Sequence, residues 1–215
     1  MKSNAVKSYA LDLDWSAQTM LPIEFKGREL HLEARAYQGL EPQNQAFVLI
    51  NRTSQANQEL PFVRVHSGCV TGDIFHSLKC DCYPQLQASL DKITSSPLGV
   101  LIYLPYHEGR GIGLVAKIRA YALQEQGYDT VDANIAVGAP IEARRYDLAA
   151  HILLDLDFPE VRLMTNNPAK VDALRAEGIK VAEQVPVVCK PNVHNVRYLE
   201  TKRERMAHQL PDRQT

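Results

Sequence analysis

The sequence predicts an α+β fold: a mixed β-sheet with antiparallel N-terminal strands and flanking helices. Two observations carry this. The first sixty or so residues alternate apolar and polar positions in short pieces, such as LHLEARAY and AFVLINR, separated by polar turns containing Gly and Pro. From Gly99 onward, short apolar runs alternate with stretches of helical spacing, the order of strand and helix units in a partly parallel sheet.

Each later element has its own signal. Pro61 to Ser67, PFVRVHS, continues the strand pattern and delivers the chain to Cys69. After Pro84, QLQASLDKI has helical spacing, and Gly99 to Leu104, GVLIYL, reads as a buried strand. Ile112 to Gln126 predicts a helix with Leu114, Ile118, Tyr121 and Ala122 on one face, Gly113 near its start and Gly127 at its end. Tyr146 to Leu156 predicts another. Val161 to Thr165 reads as a strand leading to Pro168 at a helix start, Ile179 to Val188 as a further strand, and Asn195 to Gln209 as a charged terminal helix.

The chain has 215 residues, 45% hydrophobic and 23% charged, which suits one substantial core, so a single domain over 1–215 is expected. A net charge of −1 gives no reason to expect a nucleic-acid or membrane surface, so any phosphate must be bound locally. The N-terminal stretch MKSNAVKSYALDLDW lacks the apolar run of a signal peptide, and the expected location is cytoplasmic, where cysteines serve as thiols or metal ligands.

Three of the four cysteines, Cys69, Cys80 and Cys82, fall within the run GCVTGDIFHSLKCDC. Three protein ligands leave a fourth position for water on a catalytic zinc, and zinc lowers the pKa of that water toward neutrality, so hydrolysis is the first chemistry to consider. The spacing is not that of a zinc finger or ribbon, and three reduced, partly buried cysteines remain the plain alternative.

Two loops suit anions. In HEGRGIGL, Gly109, Gly111 and Gly113 flank Arg110 just before a helix, so amides, the helix N-terminus and a guanidinium converge. The alternative is a glycine-rich turn. TNNPAK sets Asn166 or Asn167 at a helix N-cap, Pro168 at the first helical position and Lys170 close by, an arrangement that capping alone also explains.

Together RVHSGCVTGD, SLKCDC, PQLQASL, EGRGIGL, KIRAYALQEQGYDTVDAN, RLMTNNPAK and YLETKRERMAH resemble the GTP cyclohydrolase II family of riboflavin biosynthesis, from about Val63 to near His208. The resemblance implies a homodimer that opens the imidazole ring of GTP and releases formate and pyrophosphate, with zinc and magnesium as metals. It implies that Cys69, Cys80 and Cys82 hold the zinc, that Tyr121 lies near the reacting base, and that Arg144 meets the α-phosphate as nucleophile or clamp, with Glu142 beside it. A guanidinium stays protonated, which favours the clamp. Arg64, Val65, His66, Ser67 and Gly68 match a segment bordering the triphosphate, and Gln85 a ligand contact beside the zinc. Glu108, Gly109 and Arg110 match the loop that reads base and phosphates; a carboxylate at Glu108 can accept from N1 and the 2-amino group of guanine. Thr130, Thr165 and Lys170 complete the match.

Some positions depart from the family's pattern. LPYHEGRGIG replaces the usual RQEGRGIG, bringing Pro105 and His107 with one extra residue; Gly68 stands for a usual Glu, and Glu142 for a usual Asp, with Arg145 after Arg144. These leave a paralogue acting on a related purine nucleotide, or in another pathway, as the second reading. A non-catalytic zinc module is the third, and it needs a fourth ligand such as Cys189.

Overall fold

The computed structural model of the chain describes residues 14–39, 41, 44–56, 59–140 and 142–206. The alternating N-terminal pieces form three long strands, β1 (Asp14–Phe25), β2 (Arg28–Gln38) and β3 (Gln45–Arg52), each antiparallel to the next. Four shorter strands follow: β4 (Phe62–Ser67), β5 (Leu98–Leu104), β6 (Glu160–Met164) and β7 (Lys180–Val185). They complete one seven-stranded sheet in the order β1-β2-β3-β5-β4-β6-β7. β3 meets β5 antiparallel, and β5, β4, β6 and β7 run parallel, so the sheet is mixed as the sequence predicts.

The helices are α1 (Cys82–Ser95), α2 (Leu114–Glu125), α3 (Thr130–Ala136), α4 (Asp147–Asp155), α5 (Pro168–Ala176) and α6 (Val196–Met206). Because side chains alternate along a strand, neighbouring residues feed two cores. Val48, Ile50, Val100 and Ile102 pack with Leu148, Ile152 and Leu153 of α4 and Leu174 of α5. Leu49 and Leu101 point the other way, toward Leu90 and Ile93 of α1 and toward Phe25, Leu32 and Ala34 from the β1–β2 hairpin. No helix among the described residues is long and apolar enough to cross a membrane.

Several boundaries differ from the sequence expectation. α1 starts at Cys82, two residues before Pro84, because a proline in the first turn of a helix has no backbone bond to lose. β7 stops at Val185, before Pro186, which cannot donate to a ladder. α3 was not expected: with seven residues it is too short for a periodic signal, and it is set by Asp129, whose side chain accepts from the amides of Val131 and Asp132 at 2.7 and 2.9 Å. Residues 207–209 of the expected terminal helix lie outside the described residues.

The largest correction concerns α2. Leu114 and Ile118, expected on one apolar face with Tyr121 and Ala122, are 43% and 48% exposed, while Lys117 and Ala120 are buried. The helix turns a lysine inward, and the reason lies in the site beneath it.

Candidate active site

Because β5, β4 and β6 are parallel neighbours, their carboxyl ends lie on one edge of the sheet, and the loops leaving them converge there. These loops are Ser67–Cys69, Pro105–Gly111 and Thr165–Asn167. With α2, α3 and α6 they border a cleft open to solvent, with about 1060 Å³ of space between its walls and the solvent beyond.

At one end lie the three cysteines. Cys69 follows β4, whereas Cys80 and Cys82 lie at the start of α1, and all three sulfurs sit within 4.8 Å of one another. Cys69 Sγ and Cys80 Sγ are 3.8 Å apart. The chain makes room for this cluster at Gly72, where a Cβ would lie 2.8 Å from Cys80 Sγ, 2.9 Å from Cys82 Cβ and 3.1 Å from Cys69 Sγ. Asp73 fixes the first sulfur's backbone, accepting from the Cys69 amide at 2.9 Å, the Tyr103 hydroxyl at 3.0 Å and His66 Nε2 at 3.1 Å. Bonds from the Cys80 and Cys82 thiols, with Lys117 beside them, pull the Cys69 thiol far below its ordinary pKa. The same charge on Cys69 pushes Cys80 up to about 11 and raises Cys82. Three soft sulfur donors around one point, one of them already favoured as thiolate, fit zinc. Among the described residues Cys189 is not in the group and no fourth His, Cys, Asp or Glu joins it, so the cluster has an open side.

Lys117 explains the inverted α2. Its Nζ lies 3.0 Å from Cys69 Sγ, 2.8 Å from Thr71 Oγ1 and 2.6 Å from Glu108 Oε1. Burial pulls this ammonium toward neutrality, but Tyr121, Glu108 and Cys69 outweigh it and hold the lysine charged. Glu108 is thereby placed otherwise than expected. Its Oε1 also accepts from the Gly109 amide at 3.0 Å and its Oε2 from the Val70 amide at 2.6 Å, so both oxygens are committed to protein groups and do not line the cleft. Tyr121 lines the cleft one helical turn beyond Lys117, and burial raises its pKa, leaving a protonated phenol that can donate.

The rest of the cleft is cationic. Arg110 is buried in a left-handed backbone conformation, φ 66°, and its two terminal nitrogens have no hydrogen-bond partner among the described residues. Arg64 gives NH1 to the Met164 carbonyl at 3.0 Å and NH2 to Gln85 Oε1 at 2.6 Å, while its Nε is likewise unpartnered. Lys170 donates to the Val65 carbonyl at 2.7 Å, and burial, then Arg64 and Arg144, depress its pKa. Buried cations without partners are costly unless an anion completes them. Val65 itself contributes that carbonyl only; its side chain is in the core.

Arg144 reaches the cleft through Ala143, gripped by Glu142, which accepts from Nε at 2.7 Å and also from NH2. Burial lowers the Arg144 pKa and Glu142 more than restores it, so the guanidinium is held charged. Thr165 Oγ1 accepts from the Asn167 amide, Asn167 caps α5, and Asn166 bonds both ways with Val187, so of the two asparagines Asn167 is the cap. Ser67, Gly68, Gly109 and Thr130 line the cleft as expected, and His66 lies at its floor, 1% exposed.

The Gly68, Pro105 and His107 departures form one connected unit. A Cβ on Gly68 would lie 2.9 Å from Pro105 Cα, so the glycine admits the longer loop. His107 then spans the gap, its Nε2 at 2.8 Å from the Arg145 carbonyl and its Nδ1 at 3.2 Å from Ser67 Oγ. Burial, with Arg144 and Lys170 nearby, pushes its pKa down to about 3, so the ring is neutral; Nε2 carries the hydrogen and Nδ1 accepts from Ser67.

The sequence profile of the GTP cyclohydrolase II family matches residues 16–186. The chain belongs to that family. It is 58% identical over 146 residues to "GTP cyclohydrolase-2" of Acinetobacter baumannii (strain SDF), covering 68% of this chain and 72% of that protein. It is 52% identical over 148 residues to "Riboflavin biosynthesis protein RibBA" of Rhodococcus erythropolis, and 53% identical over 148 residues to the RibBA of Nocardia farcinica. The match covers 69% of this chain but only 35% and 36% of those two proteins. Within this GTP cyclohydrolase II framework, sequence reasoning missed Lys117, Asp81, Tyr198 and Lys202. Lys117 had a signal, lying four residues before Tyr121 on one helix face; Tyr198 and Lys202 come from α6, which read as a plain charged helix.

Proposed function

We propose that this chain hydrolyses the imidazole ring of GTP, releasing formate and pyrophosphate as the first step of riboflavin biosynthesis. The observation that carries the reading is the single cleft in which a three-thiol cluster faces buried, unpartnered guanidinium nitrogens of Arg110 and Arg64. One end suits a hydrolytic metal and the other a triphosphate, and family membership joins them into this reaction.

Cys69, Cys80 and Cys82 would hold one zinc per chain. When bound there, zinc supplies Lewis acidity and a water of near-neutral pKa. Lys117 neutralises Cys69 and keeps the thiol end compact. The neutral phenol of Tyr121 can donate a hydrogen bond to the purine as its C8 is attacked, first opening the ring and then releasing the formyl carbon. Arg110, Arg64 and Lys170 face the phosphates, where magnesium accompanies the nucleotide. Arg144 acts as a clamp on the α-phosphate and not as a nucleophile, because the Glu142 pair holds it protonated. Exposure of Leu114, Val115 and Ile118 on one face of α2 supports a homodimer.

One observation favours the second reading, a paralogue acting on a related purine nucleotide. The Gly68, Pro105 and His107 unit bonds the carbonyl of Arg145, the residue after Arg144, at the end of the cleft proposed for the phosphates. The test is turnover of GTP, ATP and inosine triphosphate by wild type and Cys82→Ser, with metal content measured alongside. Formate from GTP, dependent on about one zinc per chain, supports the first reading; formate from another purine nucleotide alone supports the second.

A further inference from the structure

α6 reaches the site at three points. Asn195, just before its first residue, is 1% exposed and points Nδ2 at the Cys80 carbonyl, 3.5 Å away. Tyr198 places its ring 4.3 Å from Lys202 Nζ and 5.8 Å from the Arg110 guanidinium carbon. Lys202 Nζ donates to Asp81 Oδ1 at 2.8 Å, with side-chain exposures of 11% and 4% for the pair.

Asp81 is the residue between Cys80 and Cys82, and its other oxygen accepts from Gln85 Nε2. Gln85 Oε1 then accepts from Arg64, and Arg64 donates onward to the Met164 carbonyl. A continuous line of hydrogen bonds thus runs from the terminal helix, past two of the three thiols, under the cleft and into β6. An ion pair this enclosed is strongly sensitive to loss of one partner, because the other is stranded away from water.

We propose that Lys202 is a positioning residue of the active site: through Asp81 it fixes the Cys80–Cys82 turn and the Gln85–Arg64 arm, making α6 a working wall of the cleft. The substrate half of this rests on the proposed GTP reaction; the thiol half does not. Lys202 touches neither thiol, and its influence passes through Asp81 in two directions.

The test compares wild type with Lys202→Met, Lys202→Arg and the double variant Lys202→Met, Asp81→Asn, with Arg203→Ala as a control on the same helix. Zinc release to a chromophoric chelator is followed without nucleotide, and KM and kcat are then measured with GTP. Lys202→Met is expected to release zinc at least tenfold faster and to raise KM at least tenfold with a smaller change in kcat. Lys202→Arg should recover most of both. The double variant, with no stranded carboxylate, should recover zinc retention but not KM. Should Lys202→Met fail to fold, the other two variants decide. Zinc release and KM like wild type in either Lys202→Met or the double variant would overturn the proposal, as would a loss confined to kcat. If wild type leaves GTP untouched while Lys202→Met sheds zinc, the GTP reading fails and the role of Lys202 stands.

Discussion

Gly72 offers the sharpest test of the thiol cluster, since it is the residue that lets three sulfurs converge. Its amide points at Cys69 Sγ, 3.3 Å away, and a methyl at its Cα would lie 2.8 Å from Cys80 Sγ and 2.9 Å from Cys82 Cβ. Real carbon contacts do not close to such distances, so Gly72→Ala must push at least one sulfur outward. Backbone strain is not involved, because Gly72 is outside the positive-φ set. Overpacking of this kind costs about 1–3 kcal/mol. The neighbours that must move are the ligands themselves, so the cost falls on the metal-bound form, and at about 1.4 kcal/mol per tenfold the expected loss of zinc affinity is about 5- to 150-fold. The assay is competition with a chromophoric chelator, with circular dichroism and Tm recorded on the same samples. Zinc affinity reduced in a protein of unchanged secondary structure is the predicted result. Wild-type zinc affinity at an unchanged Tm would mean that the sulfurs do not converge over Gly72, and the cluster described here would be wrong.

Other perturbations separate the remaining roles. Arg144→Ala should lower turnover by about a hundredfold or more through loss of a preorganised donor, with pyrophosphate release falling before formate release, and Arg144→Lys should restore little; equal loss of both products would move Arg144 away from the phosphates. Glu108→Gln should leave GTP-to-ATP discrimination unchanged while weakening zinc retention, because its carboxylate holds Lys117 and the Val70 amide; a guanine preference reduced by about 1–3 kcal/mol would restore the base-reading role. His107, held neutral with its pKa near 3 against an ordinary 6.5, contributes stability that is complete above pH 6.5 and lost as pH falls toward 3, since only the unfolded chain takes up its proton in that window. His107→Gln should therefore be less stable than wild type at pH 7, with the gap narrowing by about 2 kcal/mol at pH 5 in denaturant titrations; a gap independent of pH would refute a buried neutral ring.

Much of this fold could be read from periodicity alone. β2, β3, β5 and α4 follow apolar patterns that one packing partner decides, so local sequence and tertiary structure agree. α2 shows where that logic stops. Its apolar residues at helical spacing share one face, yet a lysine bonded to the thiol cluster takes the inside and Leu114 and Ile118 face out, a choice set by Cys69 and Glu108 rather than by the helix. The cysteines, Arg110 and the Asn167 cap were legible because the chemistry needs those residue types at those places. The pairing of Glu108 with Lys117 was not legible, because it crosses a loop that sequence spacing does not reveal. Lys202 and Tyr198 were missed for the same reason: they lie far along the chain from Asp81 and Arg110, the residues they meet, by 121 positions in the case of Lys202.

The central claim is that one cleft joins ring-opening hydrolysis to triphosphate recognition. The most direct measurement is incubation of the zinc-loaded protein with GTP labelled with carbon-13 at C8, following labelled formate by carbon NMR and pyrophosphate by phosphorus NMR in the same tube. Formate and pyrophosphate appearing one to one, and neither appearing with Cys80→Ser, is the predicted result. Labelled C8 remaining in an intact purine ring, or formate released with the triphosphate retained, would contradict it.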